Sequence, residues 1–393
     1  MAKKASGSVG EGKKGVGART AKAGAAKRAK VVEAPEGDPL LAVPATPEMG
    51  SVVGQERAIG VLRRAAASGR LHHAWLFHGP EGVGKFTTAL AFAGELLTPS
   101  GAPGREASRL LASGMHPDLH VVRKELASIS RDEGVRSSKQ LGIAIEVVRE
   151  FLIEPASRTR VASGSSPGSK VFIVDEAHLL GPEAQDALLK TLEEPAPGTV
   201  IVLVTHIPER LKATVRSRCQ RVAFGTLDEG AMRSWLAGSG LEVPKDVMTW
   251  ALRFASGSPG ALRAAVESGL VAWQAAVGSM LDKATQGRTP VELGGVLAKL
   301  VDESAAAAVE HNPRASKEAA NRVAARRMFR LLGERCREEL AAGAQRGDAP
   351  ALERAAEALD RVAAAERQVD SNVALALVFD NLAAQWAAQW TAR

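Results

Sequence analysis

Seven residues, Gly79-Pro80-Glu81-Gly82-Val83-Gly84-Lys85, constrain this chain more than any other stretch. They join an apolar run, Ala74 to Phe77, to a helical pattern, Thr87 to Leu97. A glycine-rich turn between a strand and a helix aims backbone N–H groups at whatever sits before the helix, and the lysine adds a positive charge there. Such a turn is either a plain helix entry or a cradle for an anionic polyphosphate. Further along, Val171-Phe172-Ile173-Val174 ends in Asp175-Glu176. Alone, that is only a strand meeting solvent. Paired with the turn, it supplies the other half of a nucleotide site, with Asp175 as metal or water ligand and Glu176 as base for an attacking water.

The two halves follow the Walker A and Walker B pattern of P-loop NTPases, with Gly79, Gly82, Gly84, Lys85 and Thr87 as candidate nucleotide-binding residues. One position departs from it. The pattern places Ser or Thr directly after the lysine, because that hydroxyl ligates Mg²⁺, and here the residue is Phe86. Thr87 is rotated by about 100° along the helix and does not substitute. The loop chemistry suits a nucleoside polyphosphate such as ATP, Mg²⁺ follows only if nucleotide binds, and hydrolysis by this chain is disfavoured. The bland alternative is a loop that only holds the fold.

Elements alternate around these motifs. A helix carrying Ile59, Val61 and Leu62 toward a core, with Arg63, Arg64 and Arg70 outward, begins near Val53-Gly54-Gln55. After the loop come a short strand, His120 to Arg123, and a helical stripe from Gln140 to Ile153 with Leu141, Ile145, Val148 and Leu152 on one face. Arg158 to Ser169 reads as a loop. A helix from Glu183 to Leu192 and a strand from Val200 to Val204 complete the alternation, which predicts an α/β fold with a parallel sheet and ligands at the strands' carboxyl ends. Asp175, Glu176 and Thr205 all fall there, Thr205 as a γ-phosphate sensor. His72-His73 lacks Cys or acidic partners at ligand spacing and is a poor metal candidate.

The formal charge of +7 is not spread evenly. Nine cations against Glu11 give the first thirty residues a net +8 and leave the remainder at −1. Residues 1–46 hold few large apolar side chains and read as a disordered basic tail, either an arm on DNA phosphates or an inert solubilising segment. Two cysteines, Cys219 and Cys336, cannot build a disulfide framework or a four-thiolate zinc site, which fits a reducing cytoplasm. No run of eighteen apolar residues predicts a membrane span.

Gly54-Gln55, the phosphate loop, His116-Pro117-Asp118, Asp175-Glu176-Ala177, Leu192-Glu193-Glu194-Pro195, Thr205 and Ser217-Arg218-Cys219 occur in one order. From Gly50 to Phe224 this order resembles bacterial DNA polymerase III clamp-loader subunits of the AAA+ class, most closely the delta-prime type. The resemblance implies an AAA+ domain over 47–226, a helical lid over 227–276 and an all-α collar over 277–393. It implies partners in a hetero-oligomeric ring that loads a sliding clamp onto primed DNA, in the cytoplasm and without a membrane. It also implies that Arg218 reaches in trans into a neighbour's ATP site. Three departures sharpen it. The four zinc cysteines usual between the nucleotide motifs are missing, so no zinc is expected. Gly257-Ser258-Pro259-Gly260 lacks the lid arginine, and Arg263 is out of register. Phe86 is the third, and together they describe a non-hydrolysing member. The alternatives are an ATP-hydrolysing gamma/tau-type subunit, a stand-alone AAA+ regulator, and a helicase suggested by Asp175-Glu176-Ala177-His178. Near the C-terminus, Trp386 and Trp390 at helical spacing are expected to pack on the collar bundle.

Overall fold

Two runs without a polar interruption, Val171–Val174 and Val200–Val204, become the middle of a parallel sheet, because strands covered by helices on both faces need apolar side chains at every position. The computed structural model describes residues 41–68, 71–98, 105–138, 141–157, 170–245, 247–285, 291–311, 316–371 and 373–391. The basic segment through residue 40, Arg70 and the 158–169 loop lie outside them. Five strands, β1 (Ala74–His78), β2 (Leu119–Val122), β3 (Lys170–Val174), β4 (Thr199–Thr205) and β5 (Gln220–Ala223), run parallel in the order β2-β3-β4-β1-β5. Every residue of β3 and β4 is buried.

Alternation along each strand sorts the side chains between two cores. Trp75, Phe77, Ile173 and Val202 face helices α1 (Glu56–Ala67) and α2 (Lys85–Leu97). Leu76, Phe172, Val174 and Leu203 face Val148, Leu152 and helix α3 (Pro182–Glu193), which contributes Leu188 and Leu192. Ile59 and Leu62 of α1 are buried and Val61 is half-buried, while Arg63 and Arg64 are exposed, as the stripe requires.

Beyond the sheet, α4 (Glu229–Gly238), α5 (Met248–Ala255) and α6 (Pro259–Glu267) gather around Leu227, Met232, Ala251 and Leu262. Five longer helices follow: α7 (Leu270–Thr285), α8 (Leu293–His311), α9 (Lys317–Arg346), α10 (Ala349–Asp370) and α11 (Leu375–Thr391). Their common core includes Trp273, Met328, Phe329, Phe379 and Trp386, and it also takes in Phe254 of α5 and Ala265 of α6. The boundary expected at residue 276 falls inside α7, whose Leu270, Trp273, Val277 and Leu281 all join this core. Trp386 is buried there, and the Trp390 side chain lies outside the described ones. No described helix is long and apolar enough to cross a membrane.

Two features differ from the sequence reading. The stripe expected from Gln140 begins only at Ile145, and it runs on to Ser157 through a π-helical turn at Arg149–Ile153. Before it, the backbone at Ile143 is held extended: its N–H donates to Leu179 O at 2.8 Å and its carbonyl accepts from Gly181 N. Leu141 therefore stays 67% exposed, and Ile143 takes the buried place instead. The edge strand β5 was missed because only Val222 of its four residues is buried, so it carries no apolar run. The same substitution at two positions of the expected stripe separates the readings. Leu152→Ala should cost about 2–5 kcal/mol by urea denaturation, whereas Leu141→Ala should stay within about 0.5 kcal/mol.

Candidate functional site

The loop between β1 and α2 is shaped by glycines with positive φ, +72° at Gly82 and +97° at Gly84, the latter capping α2. Only glycine adopts both conformations without strain. At Gly82 there is also no room: a Cβ would collide with Ser258 Oγ and with Gly260 of α6. The start of α6 rests directly on the loop, Gly260 N donating to Gly82 O at 2.8 Å and Ser258 Oγ to Glu81 O at 2.8 Å. From the other side the buried Gln55 side chain donates to Val83 O at 3.0 Å and Gly225 O at 2.9 Å, tying α1 to the loop and to the exit of β5.

Lys85 is 6% exposed and folds back on its own loop, its Nζ donating to Gly79 O at 2.8 Å and also to Pro80 O. Burial pulls its pKa down to about 8, with Glu81 and Asp175 opposing. The loop, Asp175 and Thr205 share one cavity of 450 Å³, within the usual range of ligand pockets. Gly82, Gly84, Lys85, Thr87, Asp175, Glu176 and Thr205 line it; Gly79 sits behind, beneath the backbone of Phe224. Thr205 ends β4 with its hydroxyl accepting from Ile207 N at 3.0 Å. Asp175 accepts from Glu176 N at 3.0 Å, and burial pushes its carboxyl up to about 6 although Arg123 pulls it down. Glu176 holds a left-handed backbone (φ +49°) and points its carboxylate to Lys124 Nζ at 3.1 Å. Beside them, His178 and His206 meet edge to face at 4.2 Å, and burial pulls His178 down to about 4, so it is neutral near pH 7.

These residues do not fit Mg²⁺. At the ligating-hydroxyl position the Phe86 ring is half-buried against the sheet core, and the Arg123 guanidinium lies over it, 4.9 Å from the centroid. Glu176 is taken by Lys124, which leaves Asp175 as the one cavity-lining carboxylate of the pair without a cation at contact distance. Among the described residues no group of three His, Cys, Asp or Glu could hold a metal ion.

Arg218 lies away from this cavity, after the helical turn Ala213–Arg216. Its guanidinium pairs with Glu193 Oε1 at 2.5 Å and donates to Thr214 O at 2.8 Å, with about a third of the side chain exposed. The adjacent Cys219 is buried and its thiol is pushed up to about 12, so it serves packing rather than reactivity. Gln55, Arg123 and Glu193 were not among the expected site residues. Gln55 and Glu193 stood inside quoted motifs, while the only signal for Arg123 was its place at the end of a strand.

An anion on the loop stabilises the charged form of Lys85 and works against its desolvation. The amine is charged below about 8 and neutral above. Affinity for inorganic tripolyphosphate, measured by calorimetry, should therefore fall as pH rises through about 8, and a Lys85→Met variant should bind weakly with no such pH dependence.

Residues 54–228 match the protein-family model described as DNA polymerase III, delta subunit. The Pseudomonas aeruginosa DNA polymerase III subunit delta' is 33% identical over 195 residues, 48% of this chain and 53% of that protein. The Mycobacterium bovis subunit gamma/tau is 33% identical over 217 residues, 53% of this chain and 34% of that protein. A solved gamma subunit-related protein of Thermotoga maritima aligns over 85% of this chain and 99% of its own, at 16% identity and a TM-score of 0.35. The chain thus spans about half the length of the delta' relative and a third of the gamma/tau one. The family match, Gly54 to Asp228, holds the loop, the strand-end carboxylates and Arg218, and over 195 to 217 residues the chain is similar to DNA polymerase III subunits of both the delta' and the gamma/tau type.

Proposed function

We propose that this chain is a delta-prime-like subunit of a DNA polymerase III clamp loader, acting in DNA replication to help place a sliding clamp on primed DNA. It does not hydrolyse ATP itself and supplies Arg218 to the ATP site of a neighbouring subunit. The observation that carries this reading is the pairing of a metal position filled by Phe86 with an arginine kept at the surface on the far side of the domain. The loop, Lys85, Thr87 and Thr205 then hold nucleotide without turning it over, and Asp175 and Glu176 are remnants of a hydrolytic arrangement.

In the isolated chain Arg218 is parked on Glu193, a partly exposed pair of small net worth. Exchange of that carboxylate for a phosphate oxygen costs little, so docking against a neighbour can redirect the guanidinium. The helices from α7 onward, which lie beyond the 54–228 match, would form the collar that joins the ring.

The gamma/tau reading has its own support in the identity over 217 residues. It needs metal-dependent hydrolysis, which Phe86 and the Glu176–Lys124 pair oppose. In a reconstituted clamp loader, Arg218→Ala should leave the chain folded and slow hydrolysis at the site it faces, by roughly 10³–10⁵ where such an arginine acts across an interface. Unchanged turnover would remove the finger assignment. Robust magnesium-dependent turnover by the purified chain alone would move it to the hydrolysing class.

A further inference from the structure

Arg123 has no place in the chemistry so far, yet the fold fixes it with care. It follows β2, whose Val122 stands beside Val174 in register, and Asp175 N donates to Val122 O at 3.0 Å. Arg123 and Asp175 are therefore neighbours on the carboxyl edge of the sheet. The guanidinium is held by the face of Phe86, 4.9 Å from the ring centroid, rather than by a carboxylate, and its Nε is buried with no hydrogen-bond partner among the described residues. Among the described residues it makes no contact ion pair, and it acts on the Asp175 carboxylate across the gap. Stacking on an aromatic face suits a guanidinium, which is planar and weakly hydrated.

Three positions that would cooperate around a divalent cation are all turned to other uses. The ligating hydroxyl is replaced by a ring, the second carboxylate is bound by Lys124, and a fixed cation stands beside the first. A divalent ion there would lack the ligating hydroxyl and find Glu176 already bound by Lys124, with Asp175 and Glu81 as the other carboxylates that line the cavity. A polyphosphate is met by the Lys85 ammonium, the loop and the start of α2, with the Arg123 guanidinium held on the Phe86 ring.

We propose that the loop binds nucleoside polyphosphate free of divalent metal, with the Arg123 guanidinium on Phe86 supplying the positive charge that a metal ion provides in hydrolysing sites. This rests on the reading of the loop as a nucleotide site. It makes Phe86 a functional part of the site, a platform for a built-in cation.

The test is calorimetric titration of the full chain with ATP in excess EDTA and in excess Mg²⁺. Equal affinity in the two buffers is expected. Arg123→Gln should weaken binding by about five- to tenfold in both, with an unchanged thermal unfolding midpoint. The double variant Phe86→Ser, Arg123→Gln should recover affinity only when Mg²⁺ is added. Binding by the natural chain that requires Mg²⁺ would overturn this inference and leave the nucleotide reading standing. No binding in either buffer would overturn both, and full affinity in Arg123→Gln would remove Arg123 from the site.

Discussion

The parallel register of β1, β4 and β3 is the constraint on which the rest of this molecule depends. Because all three strands run the same way, their carboxyl ends lie along one edge, and whatever follows them meets there. Leu76 pairs with Leu203, and Leu203 with Val174. The loop after β1, Thr205 at the end of β4 and Asp175 after β3 therefore become neighbours although they are far apart in the chain. Burial of both sheet faces sets the register: a one-residue slip of β3 would send Phe172 and Val174 to the face packed by α1 and α2, and Ile173 toward α3. The geometry of the polar edge is thus inherited from the packing of the apolar interior.

Placing charged groups on that edge has electrostatic consequences that the side chains share out. Lys85 and Asp175 are both desolvated, the amine pulled down to about 8 and the carboxyl pushed up to about 6, so each resists the charge it is meant to carry. Among the described residues neither makes a contact ion pair: Lys85 donates to loop carbonyls, and Asp175 accepts one backbone N–H. Glu176 and Arg218, which are more exposed, do find ion-pair partners in Lys124 and Glu193. Ion-pair partners are thus found by the more exposed groups, and the buried amine is left with loop carbonyls, where an anion would gain most from it.

Much of this was legible in the chain. The uninterrupted apolar runs of β3 and β4, the glycine loop and the following helix carry their own signals, so the sheet and the cavity-lining residues could be placed before any coordinates. What could not be read depends on partners distant in sequence. Leu141 fits a helical stripe by spacing, but backbone pairing of Ile143 with Leu179 overrides it. Strand β5 is an edge strand with one buried residue, too short a pattern to register. Arg123 looked like any charge at a strand end until the register set it beside Asp175 and over Phe86, and Gln55 gave no hint of its two backbone acceptors. Residue types announced the loop and, through Phe86, the missing hydroxyl, whereas the Glu176–Lys124 pair and the place of Arg123 appear only in three dimensions.

Gly260 shows how one departure brings another with it. Gly257-Ser258-Pro259-Gly260 carries no arginine, and its last residue has no side chain at all. A Cβ at this position would run into Gly82, so the backbone bond between Gly260 N and Gly82 O requires glycine on both sides of the contact. Helix α6 can then sit on the loop itself, with Ser258 capping its first turn and also holding Glu81 O. Arg263, one turn further, lines the same cavity with its guanidinium 5.8 Å over the Trp235 ring. Arg123 is thus held on an aromatic face, whereas Arg263 also pairs with Glu267 Oε1 at 3.6 Å, and neither is matched to a carboxylate that lines the cavity. A helix held on its loop by one backbone bond and the Ser258 hydroxyl, beside a hydroxyl position filled by a ring, suits the proposed holding of a polyphosphate better than its cleavage.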